Sequence, residues 1–155
     1  MPRITCATPS PGKPLRIAAV GAGTSWTTIA EAPDFSLPDP SAALSPRDPG
    51  DAGRYIAPGI VSFLRPIVVR NRDTAERWIE FQLLDEAGQT HAVPGRFPVP
   101  PGASVLVPVQ GLDLLKRVAA GANGDRLQVR AETAAVLDLW GAAQETISDE
   151  HEGVA

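Results

Sequence analysis

The stretch Ile79-Glu80-Phe81-Gln82-Leu83 decides the fold class. Its apolar side chains alternate with polar ones, and this period of two is typical of a β-strand with one buried face. The same alternation recurs at residues 105–109, 127–131 and 136–140, and polar turns separate the runs. Several short strands at such spacing predict a β-sandwich or a small barrel.

The prolines exclude long helices. The chain holds 16 of them in 155 residues, and seven lie in the first forty. Proline is rejected from helix interiors and from central positions of a sheet. We therefore predict an all-β chain whose residues 55–145 form an antiparallel β-sandwich, jelly-roll-like or immunoglobulin-like. Residues 112–119 are the exception, where one or two helical turns fit the charge pattern.

The segments on either side of this sandwich have a different composition. Residues 1–54 read as a proline- and glycine-rich N-terminal arm with one or two short strands, at 15–20 and 27–31. Residues 146–155 read as an acidic C-terminal tail. The arm has too few regularly spaced apolar residues for a core of its own, so we expect it to pack mainly between subunits. The alternative is that its two short strands join the chain's own sandwich. The expected subunit-contact residues are Ile17, Trp26, Ile29, Phe35 and Leu37.

Charge and hydropathy limit the partners. The net charge is −4 and the sequence pI is about 5.1, with no run of basic residues, which argues against a nucleic-acid surface. No segment approaches membrane-spanning length, so no membrane partner is expected. The single cysteine, Cys6, has no partner for an internal disulfide. Synthesis and assembly in the cytosol is the resulting expectation.

No motif predicts catalysis, a cofactor or a metal. His91 and His151 are the only histidines, and neither has ligand or nucleophile partners at a defined spacing. The glycines at 21 and 23 suggest a dinucleotide-binding turn, but Trp26 stands where the third glycine is needed. We expect no enzymatic activity, no cofactor and no metal site.

A set of short motifs carries a family resemblance. In chain order these are Thr27-Thr28-Ile29, Pro58-Gly59, Ile67-Val68-Val69-Arg70-Asn71, Phe81-Gln82-Leu83, Pro101-Gly102 and Gly124-Asp125-Arg126-Leu127-Gln128-Val129. Their order and spacing resemble small β-sandwich structural proteins of tailed bacteriophages, prophages and phage-like particles, gene transfer agents among them. A proline-rich insertion between the first two motifs departs from that pattern.

The resemblance implies a non-enzymatic structural component of a virion, such as a tail, baseplate, fibre-base or capsid-decorating protein. Its expected partners are further copies of itself, in a ring or trimer, and neighbouring virion proteins, with a cell-surface glycan as an additional candidate. The alternative function is a carbohydrate- or receptor-binding β-sandwich module. That alternative needs an exposed cluster of aromatic side chains near amides or carboxylates, which a chain with 5% aromatic residues supplies with difficulty.

Overall fold

The computed structural model describes residues 13–38, 54–116 and 123–147. This part of the chain holds eleven strands and no helix. The strands are β1 Lys13–Ala19, β2 Thr27–Glu31, β3 Asp34–Pro38, β4 Arg54–Ser62, β5 Ile67–Asn71, β6 Arg77–Leu84, β7 Thr90–Val99, β8 Ser104–Val107, β9 Asp113–Leu115, β10 Arg126–Ala131 and β11 Leu137–Ile147.

The strands form two antiparallel sheets. The four-stranded sheet has the order β2-β10-β6-β7. The seven-stranded sheet has the order β3-β4-β11-β5-β8, with β1 paired to β11 and β9 paired to β4. Every strand pair in both sheets is antiparallel. This architecture confirms the predicted all-β antiparallel sandwich.

The core lies between the inner faces of the two sheets. Phe81 and Ile79 of β6 are fully buried and join one apolar cluster with residues of both sheets. Because side chains alternate along a strand, the residues between them point out of the sandwich. Six of the residues that the alternation predicts to be in the core are buried: Ile79, Phe81, Leu127, Val129, Leu137 and Leu139. Leu83, also predicted to be in the core, is half-buried and packs against the cluster.

The division of the chain at residue 54 is corrected by the strand pairing. β1 pairs with β11 along its length, β2 pairs with β10, and β3 pairs with β4. Ile17 of β1 is buried in the common core. Burial of such side chains supplies the free energy that the segment cannot obtain alone, so residues 13–38 complete both sheets of their own chain. Residues 1–12 and 39–53 of the predicted arm lie outside the described residues.

Three other elements differ from the sequence prediction. The length of the apolar run at 60–70 predicts one central strand with a bulge or an edge at Pro66. The structure has two strands there, β4 and β5, which lie in succession along β11 and are separated by residues 63–66. Within 112–119, the described residues include strand β9 and no helix, because Leu114 is buried and its strand pairs with β4. β11 runs to Ile147, past the predicted end of the domain, and residues 148–155 lie outside the description.

A buried asparagine fixes the turn from β5 to β6. Asn71 is fully buried, and its Nδ2 donates to the carbonyls of Ala75 at 2.8 Å and Val99 at 3.0 Å. Its Oδ1 accepts from the backbone N–H of Asp73 at 2.8 Å. The side chain thus replaces backbone partners that the turn lacks, and it sets where β6 enters the four-stranded sheet.

Candidate functional site

The outer face of the four-stranded sheet concentrates aromatic, amide and charged side chains. It lies opposite the buried face, because its residues alternate with core residues along β6 and β10. We call it the aromatic–amide face, and it consists of Trp26, Thr28, Trp78, Glu80, Gln82, Arg96, Gln128 and Arg130.

One row of this face stacks indoles and guanidinium groups. The guanidinium carbon of Arg130 lies 4.5 Å from the centroid of the Trp26 ring and 5.8 Å from that of Trp78. That of Arg96 lies 4.0 Å from the Trp78 ring. These distances fall within the range of cation–π attraction. In register, Arg130, Glu80 and Arg96 stand opposite one another on β10, β6 and β7. Trp26 lies over Arg130 at the β2 end of this row, and Trp78 lies two residues before Glu80 on β6, so the two arginines hold both indoles in fixed positions.

Glu80 links the two arginines of the row. Its carboxylate lies 2.6 Å from a guanidinium nitrogen of Arg96 and 3.2 Å from one of Arg130. Partial burial acts to raise the pKa of Glu80, but the hydrogen bonds and positive charges of Arg96 and Arg130 outweigh it, and the pKa is lowered from its ordinary value of 4.5. Glu80 is therefore a carboxylate at neutral pH, unsuited to act as a general acid there.

A second row, two residues further along the strands, is uncharged. Gln82 Nε2 donates to Gln128 Oε1 over 2.7 Å, and Gln128 Nε2 lies 3.4 Å from the Thr28 hydroxyl oxygen. The three residues stand opposite one another in the registers of β6, β10 and β2. They present amide and hydroxyl groups that both donate and accept hydrogen bonds.

The geometry suits an extended ligand lying across the strands. Two residues along a strand separate the rows by about 6.6 Å, and four strands at about 4.8 Å spacing give the face a width of about 14 Å. The aromatic–amide face is a surface rather than a pocket. A hollow of about 210 Å³ lies on the other sheet, and its volume is smaller than that of a typical small-molecule pocket. It is lined by Pro14, Leu64, Arg65, Ala142, Ala143 and Gln144.

The outer face of the seven-stranded sheet has a different character. Trp140 of β11 is 43% exposed and Leu106 of β8 is 65% exposed. Val68 of β5 stands between them in register, and Ala18 of β1 stands on the far side of Trp140. We call the row Leu106–Val68–Trp140–Ala18 and its flanking residues the Trp140 face. A contiguous apolar row on an outer sheet face is typical of an interaction surface.

The structure does not bring the predicted subunit-contact residues together. Ile17 is buried in the core of its own chain, so its assignment as a subunit contact is corrected, and Ile29 is half-buried against the same core. Phe35 packs over Gly59, where an added Cβ would lie 2.5 Å from its ring. The backbone of Leu37 pairs with Tyr55, but its side chain lies outside the description. Trp26 alone belongs to the aromatic–amide face.

The candidate chemical groups remain separate. His91 is exposed in the β6–β7 hairpin and its Nε2 lies 2.8 Å from Asp85 Oδ2. The hydrogen bond from His91, together with the backbone N–H of Gln89, lowers the pKa of Asp85. His151 and Cys6 lie outside the described residues. Within the described ranges, no group of three side chains is placed to hold a metal ion, and no helix is long and apolar enough to cross a membrane.

Sequence reasoning missed most of the aromatic–amide face. At Trp78 the sequence does not decide between a position that caps the core and one on the outer sheet face, and Arg96 carries no signal of its own. The alternation in β6 and β10 placed Glu80, Gln82, Gln128 and Arg130 outward, which was the one available indication. These residues form rows because β10 pairs with β2 on one side and β6 on the other. The three strands are far apart in the chain, so the sequence does not show that they are neighbours.

Comparisons with known proteins leave the family open. No family model matches the chain, and no curated protein matches it. A solved structure described as the crystal structure of PirA is 14% identical over 94% of this chain and 100% of its own, with a TM-score of 0.31. The CBM22-1 xylan-binding domain of Paenibacillus barcinonensis Xyn10C is 13% identical over 90% of this chain and 97% of its own, with a TM-score of 0.27. At these values neither similarity bears on function. The class defined by the strands themselves is an antiparallel β-sandwich with two chemically distinct outer faces.

Proposed function

We propose that this chain is a non-enzymatic glycan-binding module that uses its aromatic–amide face. The observation that carries the proposal is the presence of two adjacent cross-strand rows, one aromatic and cationic, the other of amides and a hydroxyl. Sugar rings offer apolar C–H faces and polar hydroxyl rims, so they match a surface on which indoles adjoin hydrogen-bonding groups.

Each row has its own part in this proposal. Trp26 ends the aromatic row at the edge strand β2 and is partly exposed, so it supplies the stacking surface. Gln82 and Gln128 supply donors and acceptors for ring hydroxyls. Arg96 and Arg130 hold the indoles in place and are themselves tied together by Glu80. Because these groups are fixed by contacts with one another, binding costs little side-chain entropy.

The test begins with affinity electrophoresis through gels that contain soluble xylan, β-glucan, mannan or polygalacturonate. An oligosaccharide of the retarding polysaccharide is then titrated by calorimetry. Trp26→Ala should weaken binding roughly thirty-fold, the effect of a lost anchor of about 2 kcal/mol. Gln82→Ala should weaken it about three- to tenfold. Trp140→Ala is the matched control in the calorimetric titration, because it removes an exposed indole from the opposite sheet, and it should bind the oligosaccharide as the wild type does.

A structural role in a bacteriophage or phage-like particle is the second candidate function. The exposed apolar row of the Trp140 face supports it, since a particle component acts through contacts with further copies or with neighbouring virion proteins. Localisation in the virion, after synthesis in the host cytoplasm, belongs to the same proposal. The test is quantitative mass spectrometry of purified particles. A fixed, stoichiometric copy number supports the role, and absence from the particles contradicts it.

A further inference from the structure

We propose that the Trp140 face is a self-complementary interface that joins two copies of this chain about a two-fold axis. The axis runs parallel to the strands, between β5 and β11. This inference is independent of the glycan proposal, which concerns the opposite sheet.

Exposed apolar side chains are concentrated on this side of the molecule. In the described ranges, the large hydrophobic residues that are clearly exposed are Val20, Leu64, Val93, Leu106 and Trp140. Leu106 and Trp140 share one row, Leu64 lines the adjoining hollow, and Val20 directly follows β1. Only Val93 belongs to the four-stranded sheet. Tryptophan, leucine and arginine exposed in one patch match the composition of interface centres, where aromatic residues and arginine are enriched.

The register makes the patch complementary to itself. In one row Val68 stands beside Trp140, and in the next Arg70 stands beside Asp138. A two-fold axis that runs between β5 and β11 exchanges the positions of these two strands. Each β5 residue of one copy therefore lies over the β11 residue of the other copy that is its cross-strand neighbour in the register. Val68 then meets Trp140, and Arg70 meets Asp138, twice over by symmetry. Such reciprocity is the requirement for an isologous contact.

The outer strands extend the match. β8 and β1 lie at equal distances from the axis, so Leu106 of one copy lies over Ala18 of the other. A large side chain thereby meets a small one, as close packing requires. Sheets that pack face to face keep their strands within about 30° of one another, which preserves these pairings near the axis.

The charges also favour a second copy as the occupant. The side chain of Arg70 is exposed, and its guanidinium makes no hydrogen bond or ion pair with the described residues. Asp138 already accepts from the backbone N–H of Gly21 and pairs with Arg72, so its carboxylate is held outward in a fixed position. A free guanidinium beside a fixed carboxylate is satisfied by an identical face turned over it, and each dimer contains the pair twice.

The first experiment measures mass by size exclusion with light scattering, at protein concentrations up to about 1 mM, where even weak dimers are populated. We expect a concentration-dependent dimer. Arg70→Asp places two acids against each other and should weaken dimerisation at least tenfold, as should Trp140→Ser. Gln82→Ala, on the opposite face, is the control and should leave the mass unchanged. Thermal unfolding establishes that each variant is folded.

The second experiment tests the register with a short bis-maleimide cross-linker and single-cysteine variants, in which Cys6 is replaced by serine. A mixture of Ala18→Cys and Leu106→Cys should give cross-linked dimers at least several-fold more efficiently than either variant alone. A monomer at all concentrations, a trimer or larger ring, or equal cross-linking of mixed and unmixed variants would each overturn the proposal. None of these outcomes would contradict the glycan proposal, because a monomer can bind a glycan through the aromatic–amide face alone.

Discussion

The guanidinium of Arg130 lies 4.5 Å from the Trp26 ring, and this contact ties the segment before β2 to the centre of the four-stranded sheet. Trp26 precedes an edge strand, whereas Arg130 lies on β10, between β2 and β6. An indole at a sheet edge is thereby held by a side chain from the sheet interior. The contact makes a residue of the N-terminal region part of the only face on which two tryptophans of the described chain are brought together.

Residues 13–38 should be required for folding. Ile17→Ala should lower the free energy of unfolding by about 2–5 kcal/mol, because it empties a buried site between β1 and the core. Urea denaturation measures the change. Ala18→Ser, at the neighbouring position that is exposed in the monomer, is the control, and in dilute protein, where the chain is monomeric, it should change stability by less than about 0.5 kcal/mol. If Ile17→Ala were as stable as the wild type, β1 would not belong to the domain.

Phe81 should be among the most sensitive core positions. It is fully buried and meets Phe97 edge to face, with ring centroids 6.4 Å apart. Phe81→Ala should cost about 3–5 kcal/mol, through lost burial and the cavity left behind. Leu106→Ala removes an exposed side chain and serves as the comparison in the same denaturation experiment. Equal effects of the two substitutions would show that the assignment of the core is wrong.

Asn71 should tolerate no apolar replacement. In Asn71→Leu the carbonyls of Ala75 and Val99 and the N–H of Asp73 lose their side-chain partner. The bond to Val99 is buried, and a buried unsatisfied group costs about 1–3 kcal/mol, whereas the groups of Ala75 and Asp73 are partly exposed and can be hydrated. We therefore expect a loss of about 1–3 kcal/mol. Asn71→Asp retains the acceptor for Asp73 and should be less harmful at low pH, where the carboxyl is protonated and can donate. A thermal melt series against pH distinguishes the two variants.

Stability should fall in acid through Glu80. Its pKa is lowered in the folded state, so its contribution is present above the ordinary value of 4.5 and is lost as the pH falls through the folded-state value. Asp73 has a lowered pKa through its hydrogen bond from Arg77 and acts in the same direction. The Glu80→Gln variant should therefore lose less stability than the wild type between pH 5 and about pH 3. Parallel stability–pH curves for the two proteins would contradict this assignment.

The sequence predicted the strands better than it predicted their partners. Alternation at 79–83 and 127–131 fixes both the strand and its buried face, since exchange of the faces would expose Phe81 and bury Glu80. Pairing of β1 with β11 could not be read from the residues, because strands at opposite ends of a chain carry no signal of their adjacency. For the same reason the aromatic–amide face was missed, as it draws on residues from four separate stretches.

Local signals also misled where tertiary contacts dominate. Asp113 and Lys116 have the charge order of a short helix, yet Leu114 between them is buried in a strand paired with β4. Lys116 is itself buried and its Nζ lies 2.7 Å from Asp34 Oδ2, an ion pair that fastens this segment to the start of β3. Packing and pairing thus outweigh a weak helical preference over a few residues.

The measurement that tests the account most directly is a two-dimensional NMR titration with an oligosaccharide selected by affinity electrophoresis. The glycan proposal predicts that shifts concentrate at the indole N–H of Trp26 and Trp78 and at the side-chain amides of Gln82 and Gln128. The indole N–H of Trp140, on the opposite sheet, should stay in place and serves as the internal control. Shifts confined to the Trp140 side, or the absence of any shift with every glycan offered, would contradict the assignment of the aromatic–amide face as a glycan-binding site.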